Sequence, residues 1–291
     1  MEIGGVITAM VTPFAEDGSL DEAAARRLAA HLIENGSHGL VLAGTTGEAP
    51  TLSDEEKLAL FRAVRDEVGA DVTLIAGTGS NDTRHTVELT KAAADAGVDA
   101  AIVVTPYYNK PNRAGLIAHY EAVAGGAELP IVLYNIPSRT VINIAPDLLA
   151  ELAAIENVVA VKQANNDELG PIEGLDVLAG NDEIFLRCLE LGGTGGILVA
   201  SHLVGPRMRE IYDAIQAGEA DRAHEVEAEI TDVYEAMTLT ANPIPVKAAL
   251  AMIGLVGPTL RLPMVEADEE QAAAVREVLE RHGLLAASAA G

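Results

Sequence analysis

The sequence contains no tryptophan, one cysteine, three phenylalanines and only five lysines in 291 residues. A single thiol, Cys188, excludes an intrachain disulfide and a thiolate zinc centre. It lies in the apolar stretch EIFLRCLELGG, where a core role is expected. The seven histidines form no H-x-x-x-H pair and join no carboxylate cluster, so no metal site is expected. No run of about 18 apolar residues is free of charge, and Met1 to Thr12 lacks the basic start of a signal peptide; a soluble cytoplasmic protein is expected. Positive charge is scarce as well. Lys and Arg number 19 against 44 Asp and Glu, a formal charge of −25. Such a surface repels phosphate backbones and anionic membranes, so neither nucleic acid nor membrane is expected as a partner. The acidity reads as a solvated surface that favours solubility or tolerance of salt.

What is present is one alternation. Short β-branched runs recur at residues 5–12, 39–43, 72–77, 100–105, 130–135, 158–162, 176–180 and 195–200. Between them lie segments of helical spacing such as LDEAAARRLAAHLIENG and SDEEKLALFRAVRDEVG, the second opened by Ser53 and Glu56 as a capping box. Eight strands alternating with about eight helices predict right-handed βαβ crossovers and an α/β fold, a (β/α)8 TIM barrel; an open doubly wound sheet is the alternative. Two features favour the barrel: no G-x-G-x-x-G or G-x-x-x-x-G-K-[ST] turn is present, and polar residues gather at the strand C-termini. With 49% hydrophobic residues, the length fits one large core. From about residue 219 the strand signal stops. Residues 1–218 are therefore expected to form the catalytic barrel and 219–291 a helical region packed on it, with an Ala/Gly tail after Leu285 that frays.

Candidate chemistry collects at the strand ends. Lys57 and Lys91 fall on amphipathic helices, Lys110 in the turn-rich YYNKPN and Lys247 in NPIPVKAAL; only Lys162, in NVVAVKQANN, ends a barrel strand. A low dielectric there would disfavour the ammonium and supply the free amine that attacks a carbonyl. The alternative is a lysine snorkelling to solvent or paired with a carboxylate. Gly44 and Gly47 of AGTTGEAPTLS would let backbone approach a ligand, and Thr45 and Thr46 offer donors to a small carboxylate. TPYYNKP places Tyr107 and Tyr108, and LYNIPSRT places Tyr134 and Arg139, at the same mouth. Together they make a coherent set of nucleophile, proton relay and carboxylate clamps.

GTTGE, TPYYNKP, YNIPSRT, the strand-ending VK, NPIPVK and LRLPM resemble the dihydrodipicolinate synthase family of the pyruvate-dependent class I aldolase and N-acetylneuraminate lyase superfamily, from MVTPF to LRLPM. The resemblance implies a barrel with a C-terminal helical region, usually a homotetramer built from two tight dimers. It implies a 4-hydroxy-tetrahydrodipicolinate synthase of the diaminopimelate and lysine pathway, with pyruvate and L-aspartate 4-semialdehyde as substrates and no metal or organic cofactor. By motif, Lys162 would form the Schiff base and Tyr134 would pass protons. Thr45 would link Tyr134 to Tyr108, which in the family reaches into the neighbouring subunit's site. Thr46 would hold the pyruvate carboxylate and Arg139 that of the semialdehyde, while Gly180 and Ile197 would line the pyruvate pocket. A sugar-acid aldolase or lyase of the same superfamily is the alternative; its members generally lack the PSRT arginine. A catalytically silent barrel would be marked by loss of Lys162, Tyr134 or the threonines, all present here. Three departures carry expectations. Gln163 stands where the synthases commonly have an acidic residue, implying altered charge near the Schiff base. GGILVASHLVG alters the strand-eight continuation, with His202 expected to pack. Asp54, Lys57 and His85 occupy places where lysine-inhibited members often carry histidines and a glutamate, implying weak lysine feedback.

Overall fold

The structure is a computed structural model that describes residues 3–285; the tail after Leu285 lies outside them. Eight parallel strands, β1 (Gly5–Ala9), β2 (Gly39–Leu42), β3 (Thr73–Gly77), β4 (Ala100–Val104), β5 (Ile131–Asn135), β6 (Val158–Gln163), β7 (Asp176–Ala179) and β8 (Gly195–Leu198), close in sequence order, β8 pairing with β1. The strands follow the apolar runs of the sequence, most of them shortened at an end and β6 carried one residue further, to Gln163. Closure settles the fold as a barrel and removes the open-sheet alternative.

Helices α1 (Glu22–Glu34), α2 (Asp54–Val68), α3 (Thr83–Asp95) and α4 (Arg113–Gly126) cover the first four crossovers, and two short helices, α5 (Pro137–Thr140) and α6 (Pro146–Leu152), cover the fifth. Ser53 and Glu56 form the expected capping box at the start of α2. The sixth crossover departs from the expected alternation. Among the described residues only a 3₁₀ turn at Asn166–Glu168 joins β6 to β7, because ANNDELGPIEGL offers a Gly-Pro pair and no helical period. Helices α7 (Phe185–Glu190) and α8 (Ser201–Gln216) complete the ring, and α9 (Ala220–Met237), α10 (Ile244–Met252) and α11 (Glu269–Arg281) follow.

Alternation along each strand sorts residues into two cores. Outward side chains such as Leu133 and Val161 meet the helices, while Ile7, Val41, Ile75, Val132, Ala160 and Leu178 fill the barrel interior. Tyr134 continues the inward set on β5, and Lys162, two residues beyond Ala160, continues it on β6. Both therefore stand on top of the apolar plug, at the C-terminal mouth.

Candidate active site

A cavity of about 660 Å³ opens at that mouth. Lys162, 6% exposed, stands in its wall with Nζ 4.4 Å from the centre of the Tyr134 ring. Among the described residues no carboxylate lies within ion-pair distance of Nζ, so neither snorkelling nor pairing accounts for this lysine. Lys247 and Lys57 are also buried, but each has an acid: Lys247 meets Glu48 at 2.5 Å and Lys57 meets Asp54 at 3.6 Å. Sequence position alone had not separated these buried ion pairs from surface lysines.

Thr45, Thr46 and Arg139 also line the cavity. Arg139 sits exposed on α5 at the rim, and no acid among the described residues pairs with it. Thr46 is buried, and its Oγ1 accepts a 2.9 Å hydrogen bond from Asn242 Nδ2. That acceptance leaves the Thr46 hydroxyl proton free to donate into the cavity. Asn242, just before α10, also lines the cavity and was not foreseen; NPIPVK was the available signal.

The loop after β2 is built differently from expectation. Gly44 faces the cavity, whereas Gly47 serves packing: a Cβ there would come within 3.1 Å of Ala43 and 3.2 Å of the Met10 carbonyl. The left-handed conformations belong to Ala43 (φ 50°) and Glu48 (φ 55°), which bracket the GTTG turn. Glu48 anchors its far end. Buried at 4% exposure, it pairs with Lys247 and accepts from Arg261 N–H at 3.0 Å. Lys247 Nζ also donates to the Thr259 carbonyl at 2.8 Å, and burial pulls its pKa down.

Several residues fall outside the cavity of this one chain. Tyr108 is 88% exposed with φ 72°, and no hydrogen bond among the described residues joins Thr45 Oγ1 to it or to Tyr134; Tyr107 lines the cavity instead. Ile197 is buried in the apolar plug below, and Gly180 backs onto the Gln163 carbonyl, which a Cβ would approach to 2.6 Å. Neither is on the cavity wall. Gln163 corrects an expectation: one residue past Lys162 on the strand, it points away from the cavity into buried amides, so it does not set the charge beside Nζ.

Two other expectations hold. His202 is a packing residue: its Nε2 accepts from Val11 N–H at 3.2 Å, its Nδ1 lies 2.8 Å from the Val199 carbonyl, and burial pushes its pKa down to about 4. Cys188 is buried, its thiol pushed up to about 12 by burial. Asp54, Lys57 and His85 gather at one end of the cavity, with Asp54 bonded to His85 Nε2 at 2.7 Å. Below the mouth Asp182 accepts from the Val199 and Ala200 amides at 2.9 and 3.1 Å. Burial raises it to about 6 against those bonds and the charge of Lys162.

The dihydrodipicolinate synthetase family profile matches residues 2–282. The 4-hydroxy-tetrahydrodipicolinate synthase of Desulforudis audaxviator is 46% identical over 98% of this chain and 99% of its own length. That of Symbiobacterium thermophilum is 48% identical over 97% and 99%. The crystal structure of a chloride-inhibited dihydrodipicolinate synthase from Acinetobacter baumannii, complexed with pyruvate, superposes with a TM-score of 0.95 at 37% identity, covering 98% of this chain and all of that one.

Proposed function

The chain belongs to the dihydrodipicolinate synthetase family and has the activity of a 4-hydroxy-tetrahydrodipicolinate synthase, a lyase of lysine biosynthesis; on that premise we propose how its own residues perform the reaction. The observation that carries the reading is Lys162, buried beside Tyr134 with no acid among the described residues in ion-pair distance, in the wall of a cavity that Arg139 overhangs.

Lys162 Nζ, as the free amine, attacks the pyruvate carbonyl carbon, and loss of water leaves an iminium. The positive nitrogen draws electrons from the methyl group, which gives up a proton and becomes an enamine carbon. Tyr134, the register partner of Lys162 on β5, passes that proton and the one needed in forming the adduct. The Thr46 hydroxyl, aimed by Asn242, holds the pyruvate carboxylate. The enamine carbon attacks the aldehyde of L-aspartate 4-semialdehyde, whose carboxylate the planar Arg139 guanidinium receives in a two-pronged bond. The substrate's own amine then displaces the lysine and closes the ring. Gly180 and Ile197 act from behind the wall, by keeping β7 and β8 close to β6.

Tyr108 reaches a second copy's cavity in this reading, with Thr45 relaying between it and Tyr134, and the chains assemble as a homotetramer of two dimers. Its exposure and left-handed backbone support that role. The division of labour is a barrel to residue 218 and a helical region from 219 that braces it. No described helix is long and apolar enough to cross a membrane, and we place the enzyme in the cytoplasm. Turnover with pyruvate and the semialdehyde, beside a panel of sugar aldehydes, tests the reading: selective use of the semialdehyde, abolished by Lys162→Ala, is expected. Preference for a sugar aldehyde, or an active Lys162→Ala, would contradict it.

A further inference from the structure

Side chains along β5 and β6 alternate between the barrel interior and the helix layer. The register pairs Tyr134 with Lys162 and, one residue on, Asn135 with Gln163. The reacting pair therefore faces the cavity, and the two amides stand behind it on the outer face, 0% and 1% exposed. Asn135 Nδ2 donates to Gln163 Oε1 at 2.9 Å. Main-chain donors fix the orientation of both amides. Ile144 N–H donates to Asn135 Oδ1 and Asn165 N–H donates to Gln163 Oε1, each at 3.0 Å, so an NH2 of one must meet an oxygen of the other. The network continues to Asn143, whose Oδ1 accepts from Asn135 Nδ2 at 2.9 Å and whose Nδ2 donates to Glu168 at 2.8 Å.

Lower on the same strand pair the ladder is irregular. Ile131 pairs with Val158 but Val132 pairs with Ala160, so Val159 is an extra residue on β6. Because the side-chain period is two, a slip of one residue would turn Lys162 out of the barrel. The amide bond lies above this irregularity, at the level where the chemistry occurs.

We propose that Asn135 and Gln163 are positioning residues: their buried amide bond locks β5 against β6 above the bulge and so holds Lys162 Nζ in register with Tyr134. The proposal rests on Lys162 being the Schiff-base lysine. Removing the acceptor leaves the Asn165 N–H without its partner and takes from the Asn135 amide its one bond to β6, since its other bonds run to Asn143 and the Ile144 carbonyl; the two strands then lose their side-chain tie at this level and adjust. A misplacement of a fraction of an ångström then acts on the rate of adduct formation more than on pyruvate affinity, which the loop after β2 supplies.

Borohydride trapping of pyruvate on the full-length protein tests this with Gln163→Met, which keeps the length and deletes the acceptor, and Gln163→Glu, which restores an acceptor oxygen. The expected result for Gln163→Met is a fall of roughly tenfold in kcat and in trapping rate at saturating pyruvate, with the pyruvate KM within about twofold. Gln163→Glu should recover at least about half of the lost rate. Full trapping and turnover in folded Gln163→Met, or a loss that Gln163→Glu does not rescue, would overturn the proposal. Should Gln163→Met fail to fold, Asn143→Ala removes the outer partner alone; a slowed trapping rate supports the lock and an unchanged one overturns it. Failure of the wild-type protein to trap pyruvate at Lys162 would instead sink the premise.

Discussion

A lysine attacks a carbonyl only as the free amine, so what surrounds the nitrogen matters as much as its depth. Lys57, Lys162 and Lys247 are all buried, and the first and last are paired with Asp54 and Glu48. Lys162 was legible in the sequence because it interrupts an apolar run at a strand end; the pairings that distinguish the other two were not, since Glu48 and Lys247 come from opposite ends of the chain. Asn242 was hidden for the same reason, 196 residues from the threonine it orients. Asn242→Ala should raise the pyruvate KM several-fold while Lys162 still traps pyruvate, as steady-state kinetics will show. Arg139→Ala should raise the semialdehyde KM by about 10- to 100-fold, the worth of one charged hydrogen-bonding group, and leave pyruvate trapping unchanged. Buried histidines predict acid sensitivity. His119 and His202 are each pushed down to about 4 by burial. Their stabilising contribution is full above the unfolded value near 6.5 and is lost as pH falls toward 4. Asp182, raised to about 6, works the other way, stabilising below about 4 and losing that as pH rises through 6. Two groups outweigh one, so thermal stability in high salt should fall from pH 7 to pH 4.5, and His119→Gln should flatten that slope.

At the scale of elements, hydrophobic period and turn chemistry decided nearly everything that sequence could decide. Seven of the eight strands lie within the apolar runs, β6 reaching one residue further to Gln163, and the α2 cap falls where Ser53 and Glu56 put it. The sixth crossover carries no α-helix among the described residues because Gly170, Pro171 and Gly174 locally forbid one. The sense of the GTTG loop was also hidden: Ala43 and Glu48 carry the left-handed turns, the second held by its bonds to Lys247 and the Arg261 N–H. The Glu48–Lys247 pair joins that loop to α10, and Arg261, stacked 4.3 Å over Phe14 and bonded to Glu56 at 2.5 Å, ties in the segment beyond. Lys247→Met should cost roughly 3–5 kcal/mol in denaturant unfolding, because it strands the Glu48 carboxylate without its partner. Replacing Glu48 by leucine as well should recover much of that loss.

For the molecule as a whole, composition set the limits and the barrel set the place of the chemistry. A charge of −25 on 291 residues makes self-repulsion a general cost to the folded state, screened over about 10 Å at 0.1 M salt and about 3 Å at 1 M. Raising KCl from 0.1 to 1 M at pH 7 should therefore raise Tm by several degrees; no change would show that the acids are already compensated. The loop carrying Tyr108, projecting from the mouth, predicts that Tyr108→Phe lowers turnover in the assembled protein without altering the fold of one chain. The cluster of Asp54, Lys57 and His85 has its acid already bonded to both bases, and lysine at submillimolar concentration should leave the rate unchanged. The account turns on which lysine reacts. Incubating the protein with pyruvate and borohydride and locating the added mass by peptide mapping answers that directly. Label at Lys162 alone is the predicted result; label at Lys57 or Lys247, or none at all, would contradict it.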